Sequence, residues 1–203
     1  MSTGPIDIFY QAASVWNELT EYRYEFIYGY KNKLCPINLT FSMEDFPHLA
    51  GFQYLKDISL PRYNPAKIVP RILDGTIKLE QIQKGTQYKD MVLPRLEALV
   101  RIKDTLDNEF NLFSYMPRVY PFYTRIKADY LISRHSDITS FVFIIQINAD
   151  GTAKCDYLCC SAFKQTDRDY TANQRPRTLL KKERIHINSN SSTILLDKLT
   201  PKT

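Results

Sequence analysis

The chain has 203 residues, 44% of them hydrophobic and 24% charged, which are ordinary globular proportions and enough to bury a core, so one domain spanning residues 1–203 is expected. Six Gly and 11 Pro exclude a low-complexity or collagen-like chain, and 14 Tyr with 11 Phe exclude a largely disordered one. The net charge of +5 is unevenly placed: residues 1–120 hold 14 cations and 14 anions, whereas residues 121–203 hold 13 against 8.

In chain order, Ile8, Ala12, Val15, Trp16 and Leu19 recur at helical spacing behind a possible Asp7 cap, which predicts an amphipathic helix over residues 7–21 with Trp16 as a core anchor. Tyr22–Tyr30 and Leu34–Phe41 are rich in aromatic and β-branched residues around the polar Lys31-Asn32-Lys33, the pattern of a β-hairpin. Ser42 then offers a cap, with a carboxylate three residues on, for a second helix carrying Phe46, Leu49, Phe52, Leu55 and Ile58 before Pro61 and Pro65. Ala66–Asp74 reads as a short helix interrupted near Pro70, Ile77–Gln83 as another, and Gln87–Phe110 as a long helix with Pro94 in its first turns. After Pro117 the period becomes extended, and Phe122–Ile132, Ser140–Ile147, Thr152–Ala162 and Thr178–Asn188 all read as strands. Asn148-Ala149-Asp150-Gly151 joins the second and third of these as a hairpin turn. Phe141–Ile145 is apolar on both faces, so that strand should lie centrally with cover on each side. The expected organisation is helix-rich over residues 1–117 and sheet-rich over 118–190, with a flexible tail at 191–203.

No basic start leads into an apolar run, and no apolar stretch approaches the roughly 18 residues that span a bilayer. A cytoplasmic protein with no membrane partner is expected. Cys35, Cys155, Cys159 and Cys160 form no Cys-x-x-Cys pair and have no nearby histidine, so they read as reduced, buried thiols with no metal to hold. On a regular strand the adjacent Cys159 and Cys160 face opposite ways. Gly-rich phosphate loops, His-Glu-x-x-His helices, nucleophile elbows and repeats are all missing from the sequence.

Some residues have the chemistry of a site. Residues 164–184 hold seven cations and three anions, the footprint of a polyanion-binding face or of a solvated strand edge. His48 lies at the edge of the face formed by Phe46, Leu49 and Phe52, where an imidazole can exchange protons with a substrate or serve only as a hydrogen-bonding residue. His135 and His186 read as solvent-facing. Alternation sends Arg125, Lys127 and Asp129 to one side and Ile126, Ala128 and Tyr130 to the other, so two cations can grip a phosphate or be balanced by Asp129. Ser161 and Phe163 close the third strand beside the basic loop of Tyr170, Gln174, Arg177 and Thr178, and a hydroxyl there can donate to a phosphate oxygen. Lys181 and Lys182 point to opposite sides of a regular strand, so at most one reaches a shared site.

The order Asp45-Phe46-Pro47-His48-Leu49-Ala50-Gly51, Ala128-Asp129-Tyr130-Leu131-Ile132, Ser161-Ala162-Phe163 with Tyr170 and Gln174, and Thr178-Leu179-Leu180-Lys181-Lys182-Glu183 resembles a phage-associated nuclease-like family of the barnase, EndoU, colicin-nuclease and RelE superfamily, over about residues 16–187. Its most specific part is Phe-x-His-Leu-x-Gly. The resemblance implies an α+β fold, with an N-terminal, mainly helical part packed on a C-terminal antiparallel β-sheet. It also implies RNA cleavage without metal or other cofactor, by attack of a ribose 2′-hydroxyl on its phosphate, in an endoribonuclease, toxin or effector of phage or mobile-element origin. By the same resemblance His48 is the acid or base, Arg125 with Lys181 or Lys182 stabilises charge, and Ser161, Tyr170 and Gln174, with Arg177 and Thr178 beside them, contact phosphate or base. The partners implied are RNA, whether tRNA, mRNA or rRNA, and a protein inhibitor. A non-catalytic RNA-binding or protein-interaction module keeping the fold is the competing reading, and a structural protein with a merely basic surface is a third. An enzyme requires His48, one of the two lysines and the 161–178 region around one cleft.

Overall fold

The computed structural model describes residues 7–59, 64–120, 122–147 and 155–201. Asp7 caps α1 (Ile8–Leu19), its carboxylate accepting from the Phe9 and Tyr10 amides at 2.8 and 3.2 Å. Phe9, Ala12, Ala13, Trp16 and Leu19 form the buried face. β1 (Tyr22–Tyr30) and β2 (Lys33–Thr40) make the expected hairpin, whose turn residues Lys31 and Asn32 both take positive φ, as a two-residue turn between twisted strands requires.

The helix expected after Ser42 is instead three short turns: Met43–Asp45, α2 (Phe46–Leu49) and Phe52–Tyr54. Gly51 interrupts it by taking φ 87°, a left-handed conformation that no regular helix continues through. Pro61 lies outside the described residues. Pro70 does not interrupt α3 (Ile68–Leu73), because it sits in the first turn, where its missing N–H would have had no partner anyway. α4 (Leu79–Ile82) follows, and a wide π-type turn over Tyr88–Val92 leads into α5 (Leu93–Asp107). α5 stops three residues short of Phe110, since Asn108 is extended, and the freed chain forms an unexpected strand, β3 (Asn111–Ser114).

The expected strand over residues 122–132 is divided. β4 (Arg118–Val119) and β5 (Phe122–Tyr123) pair with each other alone, and β6 (Tyr130–His135) joins the main sheet. β7 (Thr139–Gln146) and β8 (Asp156–Lys164) pair antiparallel as expected, while their 148–151 turn lies outside the described residues. β9 (Arg175–His186) begins three residues early, and β10 (Ser192–Asp197) forms where a flexible tail was expected, its Leu195 packing on the core.

Seven strands close in the order β1-β2-β8-β7-β6-β3-β9, with β9 pairing back to β1 and carrying β10 on its other edge. The α+β class holds, but two details differ from expectation. The N-terminal hairpin is built into the sheet rather than packed on it, and the β2–β8 join is parallel, so the sheet is a mixed, closed barrel. α5 packs on α1, β7 and β8. One core holds Trp16, Phe26, Leu99, Ile102, Val142 and Ile144, and a smaller cluster of Tyr115, Leu131, Phe141 and Phe143 covers the other face of β7. The cover expected on both sides of that strand is therefore present. Asp107 ties the end of α5 to the barrel, accepting from the Tyr24 hydroxyl at 2.8 Å and pairing with Arg184 at 2.5 Å.

Candidate functional site

Trp16 sets the position of His48. Its indole donates to the Ser42 carbonyl at 2.9 Å and its ring lies 6.3 Å from Phe46, which is buried together with Leu49. Those two anchors leave His48 on the outer side of α2, exposed at the rim of a cleft of about 560 Å³. Gly51 closes this turn, its amide donating to the His48 carbonyl at 3.0 Å. A Cβ at Gly51 would stand 3.0 Å from the Arg95 Cδ, so the glycine makes room for Arg95 to pass.

Arg95, in the first turn of α5, enters the cleft. Its guanidinium donates to the Met91 carbonyl at 2.6 Å and lies over the rings of Tyr54 and Phe163, at 4.8 and 5.6 Å. Among the described residues no carboxylate is within ion-pair distance of it, and burial pulls its pKa below the usual arginine value. A cation held by a carbonyl, the Tyr54 hydroxyl at 3.4 Å and two aromatic faces still keeps donors for an anion.

β8 supplies the opposite wall through a bulge. Phe143 pairs with Ser161 but Ile144 pairs with Cys159, so Cys160 is an extra residue between them. Strict alternation after the core residue Cys159 would turn Ser161 inward. The bulge puts Cys160 and Ser161 side by side on the cleft and returns Ala162 to the core. The Cys160 thiol has the Phe143 and Lys127 carbonyls within reach of its one hydrogen, and burial pushes its pKa up to about 11. Cys159 lies in the core, so the two thiols do face opposite ways.

Residues 124–128 form no ladder, yet Arg125 and Lys127 are exposed while Ile126 and Ala128 pack on the smaller cluster, as alternation predicts. Tyr170 completes the wall, its ring 5.2 to 5.6 Å from Phe163, Phe141 and Phe143. Four of the sequence candidates, His48, Arg125, Ser161 and Tyr170, therefore share one cleft. Arg95, Lys127 and Arg168 join them, and among the described residues no carboxylate lines the cleft. Arg95 was hidden in a helical pattern, where a single arginine reads as surface. Among the described residues no group of three His, Cys, Asp or Glu is placed to hold a metal ion, and no helix is long and apolar enough to cross a membrane.

A family model described as phage-Barnase-EndoU-ColicinE5/D-RelE like nuclease4 matches residues 8–199, from α1 to beyond β10. The chain belongs to this nuclease-like family. No curated protein and no solved structure matches it. The family match takes in all of α1, of which the sequence resemblance at residues 16–187 reached only the end, and the last strand, which it left out.

The other candidates of this nuclease-like chain lie elsewhere. Lys181 pairs with Glu183 at 2.8 Å and does not line the cleft. Lys182, only 1% exposed, points to the opposite side, donating to the Asn108 carbonyl at the end of α5 and lying over the Phe110 ring. Desolvation lowers its pKa to about 8. The two lysines diverge as the strand pleat requires, and neither lines the His48 cleft. Arg177 donates to the Ser114 hydroxyl at 2.7 Å and stacks on Tyr30, and with Thr178 and Lys182 it lines a second cavity. Gln174 braces its loop, accepting from the Met116 amide at 2.8 Å and donating to the Met116 carbonyl at 3.1 Å.

Proposed function

We propose that the His48 cleft cleaves RNA. The observation that carries this reading is the convergence, in one cleft, of an exposed histidine with four cations and, among the described residues, no carboxylate. A phosphodiester is the anion that such a lining suits, because each cation offsets charge that water would otherwise have to hold. The ribose 2′-oxygen attacks the adjacent phosphorus, the P–O5′ bond breaks, and a 2′,3′-cyclic phosphate and a 5′-hydroxyl result. His48 takes the 2′-hydroxyl proton or returns one to the departing 5′-oxygen, with water carrying the other transfer. Arg95 and Arg125 hold the non-bridging oxygens as charge builds on them, and the Ser161 hydroxyl donates a further hydrogen bond. Tyr170 gives the site a wall on which a base can rest.

The test is incubation of the protein with total RNA in the presence of a chelator. The wild type releases fragments with cyclic phosphate ends, His48→Ala lowers the rate by about 10²- to 10⁴-fold, and Arg95→Met lowers it by about 10²- to 10³-fold. Lys181→Ala, outside the cleft, cuts like the wild type. RNA retained by the wild type in a salt-sensitive complex without being cut would instead favour a binding module.

A further inference from the structure

Beside the cleft stand two tyrosines that packing does not explain. β4 and β5 pair outside the barrel, and Tyr120, which follows β4, and Tyr123, in β5, leave 80% and 73% of their surface exposed. No other large apolar side chain among the described residues is as exposed. Leaving an aromatic ring in water forgoes the stabilisation that burying it would give.

The backbone beneath them is nevertheless fixed. The Thr124 amide donates to the Pro117 carbonyl at 2.9 Å, and Asn173, from the loop before β9, donates to the Tyr120 carbonyl at 2.8 Å. Thr124 is held in turn by the Tyr115 hydroxyl at 3.0 Å and accepts from the Ile126 amide at 2.9 Å. The rings are thus held out from a braced support.

Their neighbours indicate what they meet. Tyr123 lines the cleft, and Arg125 and Lys127 follow it at alternate, exposed positions, so a ring and two cations run along one side of the opening. Arg118 pairs with Tyr123 across the hairpin and is exposed as well. Arg118, Arg125 and Lys127 thus put positive charge beside Tyr123, which suits a polyanion. Aromatic faces among cations suit unpaired bases on a phosphate backbone, because every base has a π-face to stack and every linkage a charge to offset. A duplex offers neither ring an open base face.

We propose that the β4–β5 hairpin is a stacking platform for the bases of a single-stranded RNA, which leaves the cleft over Tyr123 and Tyr120. The proposal rests on the reading of the cleft as an RNA site. It makes the substrate unpaired RNA and predicts little preference for base sequence at these positions, since stacking is tolerant of base identity.

The test uses a short fluorescent single-stranded oligodeoxynucleotide, which carries bases but lacks the 2′-hydroxyl that the cleavage step needs. Tyr120→Ala and Tyr123→Ala each weaken its binding roughly tenfold, whereas Tyr120→Phe and Tyr123→Phe bind like the wild type. The wild type also loses affinity for the same strand made abasic, and for its duplex. Alanine variants that bind at wild-type affinity, or a wild type that holds duplex or abasic strand as tightly as the intact single strand, would overturn the platform. The abasic comparison uses only wild-type protein, so it stands whatever the variants do to folding. Should the wild type cut no RNA while the alanine variants still lose binding, the cleavage reading falls and the platform survives. Should RNA be cut while binding ignores the rings, the reverse holds.

Discussion

Replacing Gly51 by alanine tests the connection between the His48 turn and Arg95. Two costs arise. The first is conformational: at φ 87° an alanine carries the left-handed penalty of about 1–2 kcal/mol, partly offset by the smaller entropy alanine loses on folding. The second is steric, because the new Cβ would stand 3.0 Å from the Arg95 Cδ and 3.1 Å from the Met91 carbonyl, where ordinary contact begins near 3.4 Å. The Arg95 stem can shift, but the Met91 carbonyl belongs to the turn that starts α5 and also accepts from the Arg95 guanidinium, so it cannot move away without losing that bond. Overpacking of this kind costs about 1–3 kcal/mol, which brings the total to about 3 kcal/mol. Gly75 is the control, since its φ is 77° and nothing lies within 4 Å of its absent Cβ. Gly75→Ala therefore carries only the conformational cost, about 1 kcal/mol. The assay is thermal unfolding followed by the fluorescence of Trp16, the single tryptophan, which packs edge-on against Phe41 at 5.4 Å. Thermal midpoints should fall by roughly 6–12 °C for Gly51→Ala and about 3 °C for Gly75→Ala. Equal losses in the two variants would refute the steric argument.

Three further outcomes follow from charges and thiols. Lys182 has a folded pKa of about 8 against an ordinary 10.5, so below pH 8 both folded and unfolded chains hold the proton and the burial penalty is present in full. Between those values the unfolded chain holds more protons, and stability rises with pH. Lys182→Met should accordingly be at least as stable as the wild type at pH 7, with the difference in urea midpoint shrinking, by on the order of 2 kcal/mol in free energy, as pH approaches 10; a difference independent of pH would contradict this. Asp107→Ala strands Arg184, whose Nε has no hydrogen-bond partner among the described residues, and unties Tyr24, so calorimetry should show a loss of about 2–3 kcal/mol, and a neutral result would show that the tie at the end of α5 matters little. Iodoacetamide at pH 8 should modify Cys35 and Cys155 before Cys160, and Cys159 last, because burial keeps the latter two thiols protonated; mass spectrometry that finds Cys160 labelled first would count against the bulge geometry.

What the sequence made legible were features written within one local window. The Asp7 cap, the β1–β2 hairpin and the double-faced apolar run of β7 all follow from neighbours a few residues apart. Gly51 escaped notice as a helix breaker because the apolar period from Phe46 to Ile58 continues straight through it, and periodicity does not register a change in the sign of φ. β3 was lost for a related reason, since Phe110 fits the helical period of α5 while packing its ring on Phe26 of β1. In the site, His48, Arg125 and Tyr170 stood out by residue type and flanking pattern. Ser161 was placed in the cleft by an inserted residue rather than by alternation, and bulges have no period to read. Arg95 was missed, and Lys182 overvalued, because what separates them is a partner distant in sequence: aromatic faces for the one and the carbonyl end of α5 for the other.

The order of synthesis matters for a barrel closed in this way. Tyr22 pairs with His186 and Gly29 with Thr178, so one edge of β1 waits for a strand that is synthesised long after it. Until then the sheet is an open ribbon, and closing it requires contacts between distant parts of the chain, which form slowly. The loop that carries Tyr170 and Gln174 leads directly into that late strand, so the cleft wall is set only when the ring shuts. The wall of the cleft and the seam of the barrel are thus continuous in the chain, so closing the ring and finishing the cleft are one event.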